Sequence, residues 1–343
     1  MARILRFAFA ALLACGPVFA EDDDGVMGVW EGKVSAPGWE SRTIKAKIWG
    51  VKKGAWDGKF EIIENDKAIG AGTLSDSVTD TNATFTGAAS LDSEYLLTAT
   101  SVDGKMTGHF TPGRLSAKGS TKPDRKGGTP LPFELTRIQV KPPSLGAAPP
   151  EGAVVLLRDG NQDAWETRPE KWSPIANGGF EVANPAIVTK QEFGSAKVHL
   201  EFATPYMPNE GVGSQARGNS GVYVQGRYEI QVLDSFGVEP QNNLCGGIYK
   251  IAVPLAEAAL PPLTWQTYDI EFYAPKFDAA GKKTQDAELT VLHNGITIHD
   301  HLKLPNATPG GITDVEGPLG PLLLQHHNDR VQFANIWVQP ISE

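Results

Sequence analysis

Short runs of alternating apolar and polar residues recur along the whole chain, and they predict β-strands. In the N-terminal part, Ile44, Ala46 and Ile48 alternate with polar or exposed neighbours, and turn signals such as Asp103-Gly104 separate the runs. Similar runs continue from Val154 to Pro340, and no long helical periodicity accompanies them. Strands of this length joined by Gly- and Pro-rich turns are typical of sandwiches and barrels, so we predict an all-β protein.

A proline-rich segment divides this pattern into two parts. Residues 141–152 contain Pro142-Pro143 and Pro149-Pro150, and paired prolines favour extended backbone without ladder hydrogen bonds. We therefore expect a β domain at 25–140, a semi-rigid linker at 141–152 and a second domain at 153–343. The first domain is predicted to be a small antiparallel barrel or sandwich, because its opening residues 28–32 (GVWEG) are similar to those of lipocalin-like barrels. Its sequence does not indicate a function.

The first 20 residues have the pattern of an export signal. Arg3 and Arg6 precede an apolar stretch, FAFAALLA, which is too short to span a bilayer, and Val18-Phe19-Ala20 offers a small-residue cleavage site. We expect a periplasmic or extracellular protein without a transmembrane segment. An alternative is a lipoprotein anchored through Cys15, which ends a loose lipoprotein box.

Net charge and cysteine content argue against a nucleic-acid partner and against a disulfide bond. The formal net charge is −9 and no stripe of Lys and Arg is present, which argues against a nucleic-acid partner and is compatible with a sugar. Removal of the leader would leave Cys245 as the only cysteine, so no intramolecular disulfide can form and the core must hold the fold. We expect Cys245 to be a buried structural thiol.

The segment from Arg217 to Asp234 carries the richest set of polar residues, and it reads as strand, turn and strand. Side chains alternate between the two faces of a strand, so the pairing register decides which residues lie together. A three-residue loop, 225–227, would pair Tyr223 with Glu229 and give one apolar and one polar face. We predict this register.

The polar face of that hairpin is the candidate site. Gly221, which has no side chain, would leave room there for a ligand. We expect Glu229, Gln231 and Arg217 to converge in one sugar-sized hollow, with Asn219 and Asp234 at the same end. The spacing Glu229-x-Gln231-x-x-Asp234 is also similar to Glu-x-Asp-x-x-Glu of laminarinase-type retaining glycosidases, whose two carboxyl groups act as nucleophile and acid/base.

Several motifs in order resemble one known family over residues 151–341. They are residues 157–160 (LRDG), Trp165, 218–223 (GNSGVY), 228–235 (YEIQVLDS), 245–249 (CGGIY), 265–269 (WQTYD), 294–295 (NG), 324–327 (LQHH) and 333–337 (FANIW). This is the 3-keto-disaccharide hydrolase family, also described as 3-keto-glucoside 1,2-lyase/hydratase domains. The family often has Asp where this chain has His326. The resemblance implies a concanavalin-like jelly roll that acts on sugars.

The chemistry implied by this resemblance starts from a 3-keto group, which acidifies the hydrogen on C2. A general base removes that hydrogen, the group on C1 leaves, and water adds later. On this hypothesis Glu229 is the base or a metal ligand, Arg217 or a divalent ion stabilises the enolate, and His327 or Asp234 protonates the leaving oxygen. The residues expected to bind substrate are Asn219, Tyr223, Gln231, Gln325 and Tyr249.

Two other functions remain open from the sequence. A noncatalytic carbohydrate-binding protein would bind sugar without turnover. A retaining glycoside hydrolase that uses Glu229 and Asp234 would act on unoxidised glycosides through a covalent intermediate.

Overall fold

A computed structural model describes residues 25–52, 54–76, 83–90, 93–115, 121–123, 129–166 and 172–342. The predicted leader and Cys15 lie outside these residues. Every regular element among them is a β-strand, which confirms the all-β prediction. Within the same residues, no helix has the length and apolar character needed to cross a membrane.

Eight antiparallel strands of the N-terminal part close into a barrel. The strand β9 pairs with both β1 and β7, while β6 pairs with β7, so the sheet has no free edge along this path. A short strand, β8, adds to β7. The strands are β1 (Gly28–Val34), β2 (Thr43–Lys52), β3 (Ala55–Glu64), β4 (Lys67–Asp76), β5 (Ala83–Ser90), β6 (Glu94–Val102), β7 (Lys105–Leu115), β8 (Thr121–Pro123) and β9 (Leu131–Ile138).

Apolar side chains at alternate strand positions fill the interior of this barrel. Ile44, Ala46 and Ile48 on β2 are buried in one core cluster with Trp30 from the opening motif, as the period of two requires. The indole N–H of Trp30 donates to the carbonyl oxygen of Val26 at 3.0 Å, which satisfies the one polar atom of this buried ring.

The C-terminal part forms two larger sheets and one two-stranded ribbon. An eight-stranded sheet runs β11-β12-β23-β14-β17-β20-β21, with β10 paired to β23, and a four-stranded sheet runs β13-β22-β15-β16. The strands are β10 (Val154–Leu157), β11 (Ser173–Pro174), β12 (Phe180–Glu181), β13 (Ile187–Phe193), β14 (Ala196–Ala203), β15 (Ser220–Val224), β16 (Tyr228–Val232), β17 (Gln266–Tyr273), β18 (Lys276–Phe277), β19 (Lys283–Gln285), β20 (Ala287–His293), β21 (Ile296–Leu304), β22 (Gly320–Leu324) and β23 (Gln332–Pro340).

One hydrophobic core lies between these two sheets, as in a jelly-roll sandwich. Val222 and Ile230 from the smaller sheet share a buried cluster with Leu200, Phe202 and Ile270 from the larger sheet. Cys245 is a buried free thiol at the edge of that cluster, as expected, with its sulfur 3.3 Å from the hydroxyl of Tyr268.

The proline-rich segment is hydrogen-bonded to the C-terminal sandwich. The Ser144 hydroxyl donates to Asp269 at 2.6 Å, and the Gly146 N–H donates to Glu201 at 2.6 Å. The amide of Asn335 donates to the Ala147 carbonyl at 2.9 Å. These three hydrogen bonds hold the segment on the outer face of the eight-stranded sheet.

The barrel also contacts the sandwich directly. Lys47 and Lys59 both form ion pairs with Glu257, at 3.2 and 2.7 Å. Glu257 in turn accepts the N–H of Gly237 at 2.8 Å, and the indole of Trp49 occupies the space beside that glycine. The loop that follows Asp234 is therefore held from the barrel side.

Candidate active site

The hairpin of β15 and β16 has the register that parity predicted. Val222 pairs with Ile230 and Tyr223 pairs with Glu229, across a loop of three residues. Gln225 and Gly226 in that loop have φ values of 53° and 63°, which allow the chain to reverse in so short a distance. This prediction is confirmed.

The register sends the two kinds of side chain to opposite faces. Val222 and Ile230 point into the core cluster, whereas Tyr223, Glu229 and Gln231 lie on the other face. Gln325, directly after β22, joins this second face because its N–H donates to the Gly221 carbonyl at 2.9 Å. Four of the predicted site residues thus surround Gly221.

The space beside Gly221 is not open to a ligand, contrary to our prediction. A Cβ added at this position would lie 2.3 Å from Oε1 of Glu229 and 3.1 Å from the ring of Tyr223. The space that we expected for a ligand is occupied by the carboxyl group of Glu229. The glycine therefore lets Glu229 lie flat across its own sheet.

Replacement of Gly221 by Ala tests this arrangement. The added methyl group must push the carboxyl group of Glu229 away, so we expect a large loss of any Glu229-dependent activity in a protein that still folds. Gly211→Ala is the matched control, because a Cβ there meets nothing within 4 Å. Steady-state turnover of both variants measures the effect, and equal activity would show that the position of Glu229 is unimportant.

Glu229 is almost completely buried, with 2% of its surface exposed. Burial raises the pKa of this carboxyl group to about 7, and a hydrogen bond from Tyr223 opposes the rise. Its backbone is fixed as well, since the N–H donates to the hydroxyl of Thr308 at 2.8 Å. A carboxylate with its pKa near neutrality is suited to proton transfer.

The hydroxyl of Tyr223 connects three groups in the site. It accepts the amide N–H of Gln325 at 3.0 Å and lies 3.3 Å from the carbonyl oxygen of Pro309. It also forms a hydrogen bond with Glu229, and burial together with that carboxylate raises the pKa of Tyr223. Its single proton can serve either Glu229 or Pro309, but not both at once.

Three side-chain amides in this region use their nitrogens within the protein and leave their oxygens without a donor. Asn219 Nδ2 donates to the Gln215 carbonyl at 2.7 Å, Gln231 Nε2 lies 3.5 Å from Gln215 Oε1, and Gln325 Nε2 binds Tyr223. The oxygen of each amide is buried and accepts no hydrogen bond from any described residue. Buried acceptors without donors are costly, so these oxygens call for a ligand that donates, such as a sugar hydroxyl.

The described hydrogen bonds of Arg217 go to Asp234 and Glu210 and not to Glu229 or Gln231, so its convergence with those two residues stays a prediction. Its guanidinium group pairs with the carboxylate of Asp234 at 2.7 Å, and both side chains are 2% exposed. It also donates to the Glu210 carbonyl at 2.9 Å. Burial raises the pKa of Asp234, and Arg217 acts against that rise.

Asp234 lies beyond the strand that carries Glu229. Strand β16 ends at Val232, and the Asp234 carboxylate is paired with Arg217. The nucleophile and acid/base pair of a laminarinase-type site needs two carboxyl groups about 5 Å apart on one face. The described contacts of Asp234 do not favour that arrangement.

The remaining predicted residues lie around the edge. Tyr249 is half-buried, and its N–H donates to the Glu229 carbonyl at 3.3 Å. His327 is exposed beyond Gln325 and lies near Asp329, where its charge lowers the pKa of that carboxyl group against the larger effect of burial. Thr308 and Asp329 were missed, because single polar residues in irregular loops give no periodic signal.

Metal ligation was left open by the sequence. Among the residues that the structure describes, no group of three or more His, Cys, Asp and Glu side chains is placed to hold a metal ion. The polar face offers one carboxylate, Glu229, and the neutral amide oxygens described above.

The C-terminal part is thus an all-β sandwich with a buried carboxylate and unpartnered amide oxygens on one sheet. Comparison with known proteins shows the family to which it belongs. Residues 152–339 match the model of the 3-keto-alpha-glucoside-1,2-lyase-like domain, and the chain belongs to this family. No curated protein matches the chain.

Two solved structures are similar to the C-terminal part of the chain. One from Parabacteroides distasonis ATCC 8503, assigned as a glycosyl hydrolase, is 34% identical, with a TM-score of 0.51 over 56% of this chain and 85% of its own. A second from the same organism with the same assignment is 15% identical, with a TM-score of 0.42 over 56% and 95% of the two chains. The family and the first structure support a carbohydrate-active enzyme.

Proposed function

We propose that this protein cleaves 3-keto-glycosides by removal of the C2 proton and 1,2-elimination, followed by hydration, so that the net result is hydrolysis. The observation that carries the proposal is the Glu229 carboxyl group, whose pKa burial raises to about 7, beside three unpartnered amide oxygens. We also propose, from the leader pattern alone, that the protein acts outside the cytoplasm.

Glu229 acts as the general base. Its carboxylate takes the proton from C2, and the electrons of the C–H bond form the enolate of the 3-keto group. When the carbonyl forms again, the C1–O bond breaks, a C1–C2 double bond forms and the leaving oxygen takes up a proton. The products are an unsaturated keto sugar and an alcohol, and addition of water to the former completes the hydrolysis.

Tyr223 is suited to stabilise the enolate. While Glu229 is ionised, its carboxylate holds the Tyr223 proton, because hydrogen bonds to charged acceptors are the stronger ones. Once Glu229 has taken the C2 proton, that bond weakens and the hydroxyl can donate to the enolate oxygen instead. Gln325 keeps the hydroxyl oriented through its own amide N–H.

Substrate binding falls to Asn219, Gln231 and Gln325, whose oxygens accept from sugar hydroxyls. Because Glu229 is 2% exposed, contact with a substrate requires movement of the covering segment that includes Thr308 and Pro309. Closed sites that open for substrate are common in enzymes that exclude water from an enolate.

Incubation with a glucoside and with its 3-keto derivative tests the proposed function. We expect the enzyme to consume only the 3-keto compound and to exchange its C2 hydrogen with solvent deuterium. Release of sugar from the unoxidised glucoside would instead indicate a glycoside hydrolase. Binding without turnover of either compound would indicate a carbohydrate-binding protein.

Tyr223→Phe should move the pH dependence of turnover upward. The base must be ionised, so activity falls as the pH drops through the pKa of Glu229, which is about 7. The Tyr223 hydrogen bond lowers that pKa, and its removal should raise the midpoint of the acidic limb. Profiles of kcat/KM from about pH 5 to about pH 9 measure the shift, because kcat/KM reports ionisation of the free enzyme. Tyr273→Phe on the other sheet is the control, and an unmoved midpoint in Tyr223→Phe contradicts the coupling.

A further inference from the structure

A second polar region begins where the Glu229 face ends. The backbone N–H of Asn219 donates to Oδ2 of Asp329 at 2.6 Å. Asp329 is 7% exposed, and it lines a cavity of about 510 Å³ together with Thr204, Tyr206 and Met207. We call this space the Thr204 cavity. Its volume is in the range of small-molecule sites.

One residue that lines the Thr204 cavity has an unsatisfied polar atom. Thr204 is 1% exposed, and its Oγ1 has no hydrogen-bond partner among the described residues. The Cβ atom of Thr204 packs on Gly218, directly before Asn219, where an added Cβ would approach it to 3.2 Å. A buried hydroxyl left without a partner in a cavity wall indicates a place for a polar ligand.

The Thr204 cavity is connected to the Glu229 face through Asn219. Glu229 lies over Gly221, and Asn219 lies two residues before that glycine in the chain. The backbone N–H of Asn219 is bound by Asp329, which lines the cavity. The cavity therefore adjoins the residue that directly precedes β15, the strand that carries Gly221.

The lining fits a second sugar ring. Tyr206 and Met207 supply an apolar wall, while Thr204, Asp329 and Gln332 supply polar atoms. A pyranose has the same division into an apolar face and hydroxyl edges. Tyr206 also packs against the core of the barrel, so the N-terminal domain supports this wall.

We propose that the Thr204 cavity receives the leaving group of the substrate, a second sugar, and that Asp329 donates the proton to the leaving oxygen. This inference rests on the proposed function. As the C1–O bond breaks, its electron pair stays on the oxygen, which takes the proton of the Asp329 carboxyl group. Glu229 ends protonated and Asp329 ionised, and exchange with water resets both groups.

Burial is consistent with this role. It raises the pKa of Asp329 above its ordinary value, although hydrogen bonds and the nearby His327 oppose the rise. A carboxyl group that holds its proton to a higher pH is a better acid near neutrality. Asp329 thus takes the role that the sequence assigned to His327 or Asp234.

Substrates with different leaving groups distinguish the role of Asp329 as the acid from the role of Glu229 as the base. Asp329→Asn should lower kcat on a 3-keto-glucosyl disaccharide by about 100-fold or more, the usual worth of a general acid. Turnover of 4-nitrophenyl 3-keto-glucoside should change little, because nitrophenolate leaves without a proton. Exchange of the C2 hydrogen should be unchanged. Asp300→Asn, an exposed aspartate on the other sheet, is the control.

Thr204→Val gives an independent measurement of the cavity. Loss of one hydrogen bond to a sugar hydroxyl should raise KM for the disaccharide roughly 3- to 10-fold and leave kcat nearly unchanged. This result decides the cavity assignment even if Asp329→Asn does not fold.

The outcomes distinguish the two proposals. Equal loss on both substrates, or loss on neither, removes Asp329 as the acid, and an unchanged KM in Thr204→Val removes the cavity as the leaving-group site. If the wild-type protein fails to exchange the C2 hydrogen at all, it is the proposed function that fails.

Discussion

Glu229→Gln should lower turnover of a 3-keto-glucoside by at least about 100-fold, because a positioned general base contributes two to four orders of magnitude. The amide is nearly isosteric and can keep the contact with Tyr223, so the loss reports on the proton acceptor alone. Exchange of the C2 hydrogen with solvent should disappear to the same extent. Both quantities are measured on one sample.

The same variant should become more stable than the wild-type protein at alkaline pH. A folded pKa of about 7 against an ordinary value of 4.5 means that the native state resists ionisation of Glu229. Wild-type stability is therefore lost as the pH rises from the ordinary value through the folded value, by about 3 kcal/mol in total. The glutamine variant lacks this loss, so the two denaturation curves should coincide near pH 4 and separate by about pH 8.

Glu192→Gln provides the matched control for both measurements. Glu192 is exposed on β13 of the same sheet, so its replacement should change neither turnover nor the pH dependence of stability. A Glu229→Gln enzyme with wild-type turnover would remove Glu229 from the chemistry. Identical stability curves for this variant and the wild type would show that the carboxyl group is solvated.

The sequence predicted the parts of the site that depend on strand periodicity. A three-residue loop keeps Val222 and Ile230 on the same face, and the register that it sets fixes the neighbours of Glu229. The same rule applies to the turn at Asn294 and Gly295, where φ values of 54° and 80° are those that an Asn-Gly hairpin turn requires.

Contacts between distant segments could not be predicted in this way. Arg217 and Glu229 are both polar and near in sequence, yet the Arg217 guanidinium turns to Asp234 because a buried cation needs a carboxylate at hydrogen-bond distance. Asp329 reaches the site only through the loop after β22, and its approach to Asn219 spans 110 positions of the chain. The local sequence pattern around either residue does not predict a contact of this kind.

The contacts of the barrel with the sandwich could not be predicted from the sequence either. Its strands followed from alternation, but its contact with Glu257 through Lys47 and Lys59 depends on how two folded surfaces meet. These contacts hold the loop after Asp234, and Tyr206 brings the Thr204 cavity to the barrel core. The domain to which the sequence assigned no function thus supports one wall of the proposed leaving-group site.

Arg217→Met should destabilise the protein by about 3–5 kcal/mol, because it leaves the Asp234 carboxylate buried without its partner. The penalty should shrink at low pH. An unpaired buried carboxyl group has a raised pKa, and protonation removes the charge that the interior cannot solvate. Denaturant unfolding at several pH values measures both effects.

The double variant Arg217→Met, Asp234→Leu separates structure from chemistry. Apolar residues of similar size often replace a buried ion pair at little cost, so most of the lost stability should return. If the pair only braces the segment that carries Asn219, activity should return with stability. A double variant that folds as well as the wild type but does not turn over substrate would place Arg217 or Asp234 in the reaction. The enolate stabiliser would then have to be sought at that pair rather than at Tyr223.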